Sequence, residues 1–417
     1  MEKQIIDIKS YEILDSRGFP TIKTSVFLSD GSVGTASVPS GASKGIFEAY
    51  ELRDGDDSRY FGKGIKRAIN NIKNLILQEA TKLKNPNLYD VDMMMKRLDG
   101  TENKSKLGAN AMLSVSIAFS KACAKFYGIP LYRYLGGYDK KFLPTPMMNI
   151  LNGGVHASNN IDIQEFMIVP VKIDGFSEKL RCCSEIYHTL GKILKKSAYE
   201  TAVGDEGGFA PNLSSDEEAI EIIIEAIVKS GYNINDVKLA LDAASSQWYS
   251  DEEYYLSKRK KTLTKDEMVN YWEKLCENYP IISLEDGMAE EDYEGWETLT
   301  QKLGKTVQLV GDDLFVTNID RLRKGAKDNI ANSILIKPNQ SGSLIDTLET
   351  IKEAKKLGYN VIISHRSGET VDTFIADLAV ATNSPFIKAG APCRGERVSK
   401  YNRLLKIEDD LKLHEDK

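Results

Sequence analysis

The sequence of 417 residues is close to charge balance, with 55 basic and 61 acidic side chains and a formal net charge of −6. Apolar residues make up 41% and charged residues 28%, which is typical of a globular protein with a sizeable core. This balance argues against a nucleic-acid-binding protein, which would need a basic face. The apolar runs are shorter than the about 18 residues of a membrane span, and residues 1–10 are too charged for a signal peptide.

The cysteines and histidines narrow the possible chemistry further. Five cysteines at irregular spacing, without a CxxC pair, predict reduced thiols in a cytoplasmic protein. Only four histidines are present. His188 falls in a helical stretch and His414 in the charged tail, so we interpret both as structural or solvated and leave His156 and His365 as functional candidates.

The chain begins with a pattern typical of a small antiparallel sheet. Apolar residues cluster at 5–8, 22–27 and 34–38, and Asp30-Gly31 lies between the last two runs. An Asp-Gly pair between such runs is a hairpin signal. These residues therefore predict three strands.

Helical periodicity follows the strands. Apolar residues recur every three or four positions in 63–84, and a second helical stretch covers 107–126. The glycines and prolines of 136–146 mark a boundary. We therefore predict a small N-terminal α+β domain over residues 1–138 and a second domain over 139–417.

The second part alternates short apolar runs with helical segments, at intervals similar to the about 31 residues of one strand–helix unit of a (β/α)8 barrel. Because functional groups at the carboxyl ends of barrel strands meet at one mouth, we predict an α/β barrel. A doubly wound open sheet is the competing fold, but it does not explain why so many runs end in reactive residues. Six runs stop at, or just before, a residue able to do chemistry: Asp242, Glu285, Asp312, Lys337, His365 and Lys388.

Glu165 breaks this pattern, because it precedes its apolar run, 166–170, instead of following it. To reach the same mouth, that strand must run antiparallel to its neighbours. The predicted fold class is therefore α/β, a small N-terminal α+β domain followed by a (β/α)8 barrel with a reversed second strand. Eight parallel strands would contradict this prediction.

Three carboxylates, Asp242, Glu285 and Asp312, stand at three successive strand ends. Mg²⁺ prefers oxygen ligands, and three converging carboxylates without a cation would repel one another. The alternative is that each acid caps a helix or pairs with a lysine. For three acids in series we favour a metal site.

Lys337 follows the apolar run 334–336 and is our candidate for a general base. Such a lysine is often only an ion-pair partner, but beside a divalent cation its pKa should fall. The turn 204–208 holds Glu206 among glycines, which also fits a plain solvated turn. We interpret Glu206 as a protonated acid with Glu165 as its neighbour, because two close carboxyls split their proton affinities.

The segment His365-Arg366-Ser367 and Lys388 at the next strand end offer cations and a hydroxyl suited to a phosphate or carboxylate. The sequence has no phosphate-binding glycine motif of the nucleotide-binding folds after a strand. The small-residue loop 40–45 is weak evidence by itself. Combined with a phosphate site, it suggests a lid.

At these residues the chain resembles the enolase family over nearly its whole length. The shared motifs follow one another in order along the chain: Asp15-Ser16-Arg17-Gly18, Ser40 to Ser43, Asn152-Gly153-Gly154 with His156, Gln164-Glu165-Phe166-Met167, Gly204 to Gly208, Leu241-Asp242, Leu284-Glu285-Asp286-Gly287, Gly311-Asp312-Asp313-Leu314, Lys337 with Asn339-Gln340, Ser364 to Thr370, and Lys388 with Gly390-Ala391-Pro392.

The resemblance implies a lyase of glycolysis that converts 2-phospho-D-glycerate to phosphoenolpyruvate and water. It implies that Lys337 removes the C2 proton and that Glu206, assisted by Glu165, protonates the leaving hydroxyl, with His365 also in the catalytic set. It implies two Mg²⁺ ions per site, the second arriving with substrate and bound by Ser43. The implied metal ligands are Asp242, Glu285, Asp312 and Ser43, and the implied substrate contacts are His156, Gln164, Glu165, Lys337, His365, Arg366, Ser367 and Lys388.

The resemblance also implies an enolase-type barrel with a reversed second strand, and a cytoplasmic homodimer or ring of dimers acting on a small phosphorylated carboxylate, without nucleic acid or membrane partners. A second presence at the cell surface stays open. Lys44, Ser341 and Ala389 differ from the residues usual in the family. Two alternatives therefore remain: a paralogue acting on a related phosphonate or carboxyphosphonate enol, and a protein retained for a binding role at a surface or in an assembly.

Overall fold

The small domain begins with an antiparallel sheet, as the sequence predicts. A computed structural model describes residues 2–41 and 45–415 of the chain; Ser43 and Lys44 lie outside these ranges. Strands β1 (Ile5–Leu14), β2 (Pro20–Leu28) and β3 (Val33–Ser37) pair in that order. One face of the sheet carries the apolar residues and is buried.

Helices cover that buried face. The helical stretch predicted over 63–84 forms α1 (Lys66–Asn71), a π-helical turn (Ile72–Ile76) and α2 (Leu77–Ala80). The remaining helices of this domain are α3 (Leu88–Asp99), α4 (Ala109–Phe126) and α5 (Leu131–Gly136). A Cβ on Gly34 of β3 would lie 2.0 Å from the carbonyl oxygen of Ala118 in α4, so only glycine at this position allows α4 to pack so closely against the sheet.

The rest of the chain forms a barrel that closes within the described residues. Its strands are β4 (Thr145–Asn152), β5 (Glu165–Pro170), β6 (Val237–Asp242), β10 (Ile281–Glu285), β11 (Gln308–Gly311), β12 (Ser333–Ile336), β13 (Asn360–Ser364) and β14 (Phe386–Lys388). Around the barrel, neighbouring strands follow the order β10, β11, β12, β13, β14, β4, β5 and β6. The surrounding helices are α6 (Phe176–Lys196), α7 (Asp216–Lys229), α8 (Lys265–Asn278), α9 (Tyr293–Leu303), α10 (Ile319–Lys327), α11 (Pro338–Ser341), α12 (Leu344–Lys356), α13 (Phe374–Ala381) and α14 (Gly395–Glu415).

The predicted strand reversal is confirmed. Strand β5 pairs antiparallel with both β4 and β6, whereas the other barrel pairs are parallel. Glu165, the first residue of β5, lies opposite Asp242, the last residue of β6. The reversal therefore brings an acid from the start of one strand to the same mouth as the acids that end the others.

Below the mouth, the interior of the barrel is apolar. Because side chains alternate along a strand, the residue two positions before a mouth residue points into the same interior. An apolar cluster fills this space, and its buried members are Met147, Met167, Val169, Ala240, Val310, Leu335 and Ile362. The barrel is thus a packed core with a polar mouth and not an open channel.

The acidic and aromatic segment 249–255 after β6 is partly regular. Strands β7 (Tyr249–Ser250), β8 (Glu253–Leu256) and β9 (Lys261–Leu263) form a small antiparallel sheet after β6. Buried Tyr254 anchors this small sheet, because its hydroxyl donates to Asp292.

Among the residues that the structure describes, none of the helices combines the length and apolarity needed to cross a membrane.

Candidate active site

The carboxyl ends of the barrel strands surround one open cavity. Glu165, Asp242, Lys337 and Lys388 all reach it from strand ends. Every predicted site residue within the described ranges touches this cavity or pairs with a side chain that does, whereas Ser43 lies outside those ranges. The lining is His156, Gln164, Glu165, Glu206, Asp242, Ala244, Gln247, Asp286, Asp312, Asp313, Lys337, Ser364, His365, Arg366, Ser367 and Lys388.

The buried ammonium of Lys388 lies at the centre of the acidic group. It donates to Asp242 and to both carboxylate oxygens of Glu285 at 2.9 Å, and it lies 3.1 Å from Glu165. Burial alone would lower the pKa of Lys388, but the charges of Asp242 and the other carboxylates raise it well above its ordinary value. Burial, together with Asp242, raises the pKa of Glu285 well above its usual range.

This arrangement tests whether the predicted metal ligands suit a cation. Carboxylate oxygens from β6 and β10 converge on one positive group, and oxygen ligands of this kind are those that Mg²⁺ prefers. Asp312 turns instead to Lys337, while carboxylate oxygens of Asp286, Asp312 and Asp313 lie within 4.8 Å of one another. The donors fit a hard divalent cation, and the assignment of individual ligands stays a prediction.

Lys337, just beyond the end of β12, pairs with Asp312, which also accepts a hydrogen bond of 3.0 Å from the Gln340 side chain. Burial lowers the pKa of Lys337, but Asp312 together with the other nearby carboxylates, Glu285 among them, raises that pKa above its ordinary value. The sequence argument predicted a lowered pKa beside a divalent cation. With Asp312 as its partner, Lys337 is held as an ammonium, and its lowered pKa beside a divalent cation stays a prediction.

Glu165 and Glu206 form the predicted carboxyl pair, and their surroundings move the two pKa values in opposite directions. Burial and the Glu206 charge raise the pKa of Glu165 well above its usual range. Burial would also raise the pKa of Glu206, but His365 and His156 hold it well below its usual value. The two histidine rings face Glu206 and favour its charged form. Which of the two carboxyl groups carries the proton beside a bound cation and substrate stays a prediction.

Asn149 of β4 fixes the orientation of Glu206. Its side-chain amide donates to the second Glu206 oxygen at 2.9 Å, and both groups are buried. His156 Nδ1 lies 3.5 Å from Glu165 and 3.8 Å from Glu206. The sequence analysis did not single out Asn149, although a lone amide inside the apolar run 147–151 is a usable signal.

Arg366, one of the predicted anion-binding residues, has a partner from outside the barrel. Both terminal nitrogens of Arg366 donate to the Glu48 carboxylate of the small domain at 3.1 Å. Ser367 lies on the same loop and lines the cavity. Sequence reasoning missed Glu48, because no local pattern places a residue of the small domain over the barrel.

The side chain of Gln164 is held in place by the side-chain amide of Gln247. The Gln247 side chain donates to Gln164 at 3.1 Å, and Gln164 in turn lies 3.4 Å from Asp242. Asp286 plays a similar part for the next strand end, because its carboxylate accepts the backbone N–H groups of Asp312 and Asp313 at 2.9 Å. Both residues were missed as contributors, although Asp286 directly follows the predicted ligand Glu285.

The remaining histidines are accounted for differently. His188 is exposed on α6 and does not line the cavity. His365 Nδ1 lies 2.7 Å from a terminal nitrogen of Arg397, a fully buried residue of α14 that sequence reasoning also missed. Burial, as the main cause, lowers the pKa of His365 to about 4. His365 is therefore a neutral ring near pH 7.

A closed barrel with a reversed strand, a small α+β domain and an acidic mouth around a buried lysine define an enolase-type barrel enzyme. Residues 140–415 match the family model described as the enolase C-terminal TIM barrel domain, and residues 5–135 match the enolase N-terminal domain. The chain belongs to the enolase family. The predicted boundary between residues 138 and 139 stays a prediction.

Proposed function

We propose that this chain catalyses the reversible dehydration of 2-phospho-D-glycerate to phosphoenolpyruvate and water. The observation that carries the proposal is a single cavity lined by a buried lysine, a carboxyl pair with divided proton affinities, and further carboxylates on adjacent strands. A proton next to a carboxylate is very weakly acidic. Its removal therefore needs a base, an acid for the leaving group and stabilisation of the developing negative charge.

Lys337 is the proposed base. Its Nζ accepts the proton from C2, and the electron pair of the C–H bond is left on the substrate. The Asp312 ion pair holds Lys337 in its charged form, so Lys337 must leave that ion pair and release one proton to solvent before its neutral amine can accept the proton from C2. The buried position of Lys337 then favours the neutral amine.

The Glu165 and Glu206 pair is the proposed acid. The electron pair from C2 forms the new C2–C3 double bond as the C3 hydroxyl leaves, and the hydroxyl takes a proton to become water. Glu165 has the higher pKa of the two, so a proton held there must pass to Glu206 if Glu206 faces the hydroxyl. Carboxylate oxygens of the two residues lie within 4.8 Å of each other, which supports such a transfer.

The remaining residues orient the substrate. Arg366 and Ser367 offer donors suited to a phosphate, and His156, Gln164 and Lys388 face the same space. Asp242, Glu285 and Asp312 are the residues that would hold a first Mg²⁺, and Ser43 is proposed for a second. Bound there, Mg²⁺ supplies electrostatic stabilisation to the substrate oxygens as negative charge develops.

Purified protein with Mg²⁺ and 2-phosphoglycerate should give a growing absorbance from phosphoenolpyruvate, and EDTA should abolish it. A folded protein without turnover would contradict the proposal, as would turnover only of phosphonate or carboxyphosphonate enols. The departures from the family pattern give the second outcome little support. Ala389 is buried, and the Ser341 hydroxyl bonds to the Pro338 and Ser343 carbonyls, whereas the cavity is lined by other residues.

We also propose that the protein works as a homo-oligomer in the cytoplasm, as the resemblance implies. Sedimentation velocity should show a dimer or a larger even-numbered assembly at micromolar concentration. A single species at the mass of one chain would contradict this part of the proposal.

A further inference from the structure

Arg397 lies beside the cavity, near the start of α14, and its side chain is fully buried. One terminal nitrogen donates to the Arg366 carbonyl oxygen at 2.6 Å. The other donates to the Ser367 carbonyl at 2.6 Å and to the Asp205 carbonyl at 3.0 Å. Carbonyl oxygens only accept hydrogen bonds, so these three contacts fix how the guanidinium is turned.

The terminal nitrogen of Arg397 that donates to the Arg366 carbonyl carries a second hydrogen. His365 Nδ1 lies 2.7 Å from this nitrogen. A guanidinium stays protonated in proteins and has no acceptor atom. The contact is therefore a hydrogen bond only if Nδ1 carries a lone pair. A neutral ring with a lone pair on Nδ1 must carry its proton on Nε2.

The other side of the ring agrees with this assignment. His365 Nε2 is buried, lies 3.5 Å from a Glu206 oxygen, and has no hydrogen-bond partner within the described part of the chain. A lone pair on Nε2 would face the Glu206 carboxylate and be repelled. A proton on Nε2 is attracted to Glu206, so both neighbours select the same tautomer.

We propose that Arg397 is a positioning residue that locks His365 as the neutral Nε2–H tautomer and directs this donor into the cavity beside Glu206. Its role in the reaction rests on the proposed function: Nε2–H donates to the departing hydroxyl oxygen, while the proton itself comes from the glutamate pair. His365 then acts as a hydrogen-bond donor and not as an acid.

The charges around the ring also disfavour a doubly protonated form. Burial is the main cause of the low pKa of His365, Glu206 and Glu369 act to raise it, and Arg397 acts to lower it. An imidazolium would set an N–H on Nδ1 against the N–H of Arg397. The ring therefore keeps one proton through the neutral range, and the tautomer decides what it can do.

The direct test is the tautomer itself, read from ¹⁵N NMR of protein labelled at histidine. With only four histidines in the chain, His365→Gln identifies the signals of interest. We expect a protonated Nε2, an unprotonated Nδ1, and no titration of this ring from about pH 5.5 to about pH 8. A proton on Nδ1, or a ring that titrates within this range, would overturn the proposal.

Substitution of Arg397 tests the cause. In Arg397→Gln we expect mixed tautomers, a pKa of His365 that moves toward the ordinary value of about 6.5, and a kcat lowered by about 10- to 100-fold with a smaller change in KM. Arg397→Lys keeps a cation but cannot serve four acceptors, so it should change the same signals less. If Arg397→Gln does not fold, the His365 signals of Arg397→Lys provide the test of the proposal.

Arg403→Lys is the matched control, because Arg403 lies on the same helix and forms a two-pronged ion pair with Asp377. It should leave the His365 signals unchanged. Unaltered His365 signals in folded Arg397 variants would show that Arg397 only ties the loops together, which overturns the proposal. The NMR experiment needs no substrate, so a failure of the proposed reaction would be seen separately, as wild-type protein without turnover.

Discussion

Two layers of the same barrel, two residues apart along each strand, have opposite chemistry. The lower layer is apolar and fully enclosed, whereas the upper layer carries buried charges around the cavity. Three strands show the change within a single step: Ala240 and Asp242, Val310 and Asp312, and Leu335 and Lys337. Burial of the lower layer stabilises the fold, and burial of the upper layer costs stability but creates perturbed pKa values that suit catalysis.

The largest effect should come from the upper layer. Lys337→Ala removes the proposed base, so we expect turnover to fall by about 10⁴-fold, with the protein still folded. Steady-state assays with circular dichroism would measure both quantities. Lys302→Ala, at a half-exposed lysine on α9 that pairs with Glu273, should leave both unchanged. Loss of folding in Lys337→Ala would show that this layer also supports the barrel.

The lower layer should respond in the opposite way. Leu335→Ala leaves a cavity in the barrel interior and should lower the free energy of unfolding by about 2–5 kcal/mol. Its remaining turnover per folded molecule should be close to that of the wild type, since Lys337 is unchanged. Urea titration and active-site assays separate the two effects. A variant that is stable but inactive would contradict the division between the layers.

Burial of titratable groups in the upper layer should make the stability of the fold depend on pH. His365 has a pKa of about 4 in the folded chain against an ordinary value of 6.5. Between these values the unfolded chain binds a proton that the folded chain does not, so stability falls as the pH drops through 6.5 and stops falling near 4.

Wild type should therefore lose on the order of 3 kcal/mol relative to His365→Gln between about pH 7 and about pH 4. Urea titrations of both proteins across this range give the difference. A difference that does not change with pH would show that His365 is not held neutral by the fold.

A smaller effect is expected where the small domain meets the upper layer. The Glu48 carboxylate binds the same face of Arg366 that we assign to a phosphate. Glu48→Gln removes this competing charge and should tighten the binding of inorganic phosphate by about fivefold, roughly 1 kcal/mol. Isothermal titration calorimetry measures it. Weaker binding would mean that Glu48 positions Arg366 instead of competing for it.

The sequence predicts the barrel strands and the residues at their ends better than it predicts which side chains contact one another. Strand ends and the reversal at Glu165 could be inferred, because period-two patterning and the place of one acid are local features. Helix starts are local features too. At the start of α8, Thr264 and Glu267 form a capping box, whereas Ser215 caps α7 without one, because the Glu218 side chain accepts from Ser214.

Long-range partners could not be inferred in this way. Arg397 meets His365 only because the chain returns to the mouth at the start of α14, and no spacing rule relates the two positions. The difference in pKa between Glu165 and Glu206 has the same origin. It depends on where His156 and His365 lie around these carboxyl groups, and sequence separation carries no information about those distances.

The most direct test of the divided roles in the upper layer is exchange of the C2 proton of 2-phosphoglycerate with deuterated solvent, followed together with dehydration. Lys337→Ala should lose both exchange and dehydration, whereas Glu206→Gln should lose dehydration and keep measurable exchange. Wild type should show both. Exchange that persists in Lys337→Ala, or that disappears in a folded Glu206→Gln protein, would contradict the assignment of Lys337 as base and the glutamate pair as acid.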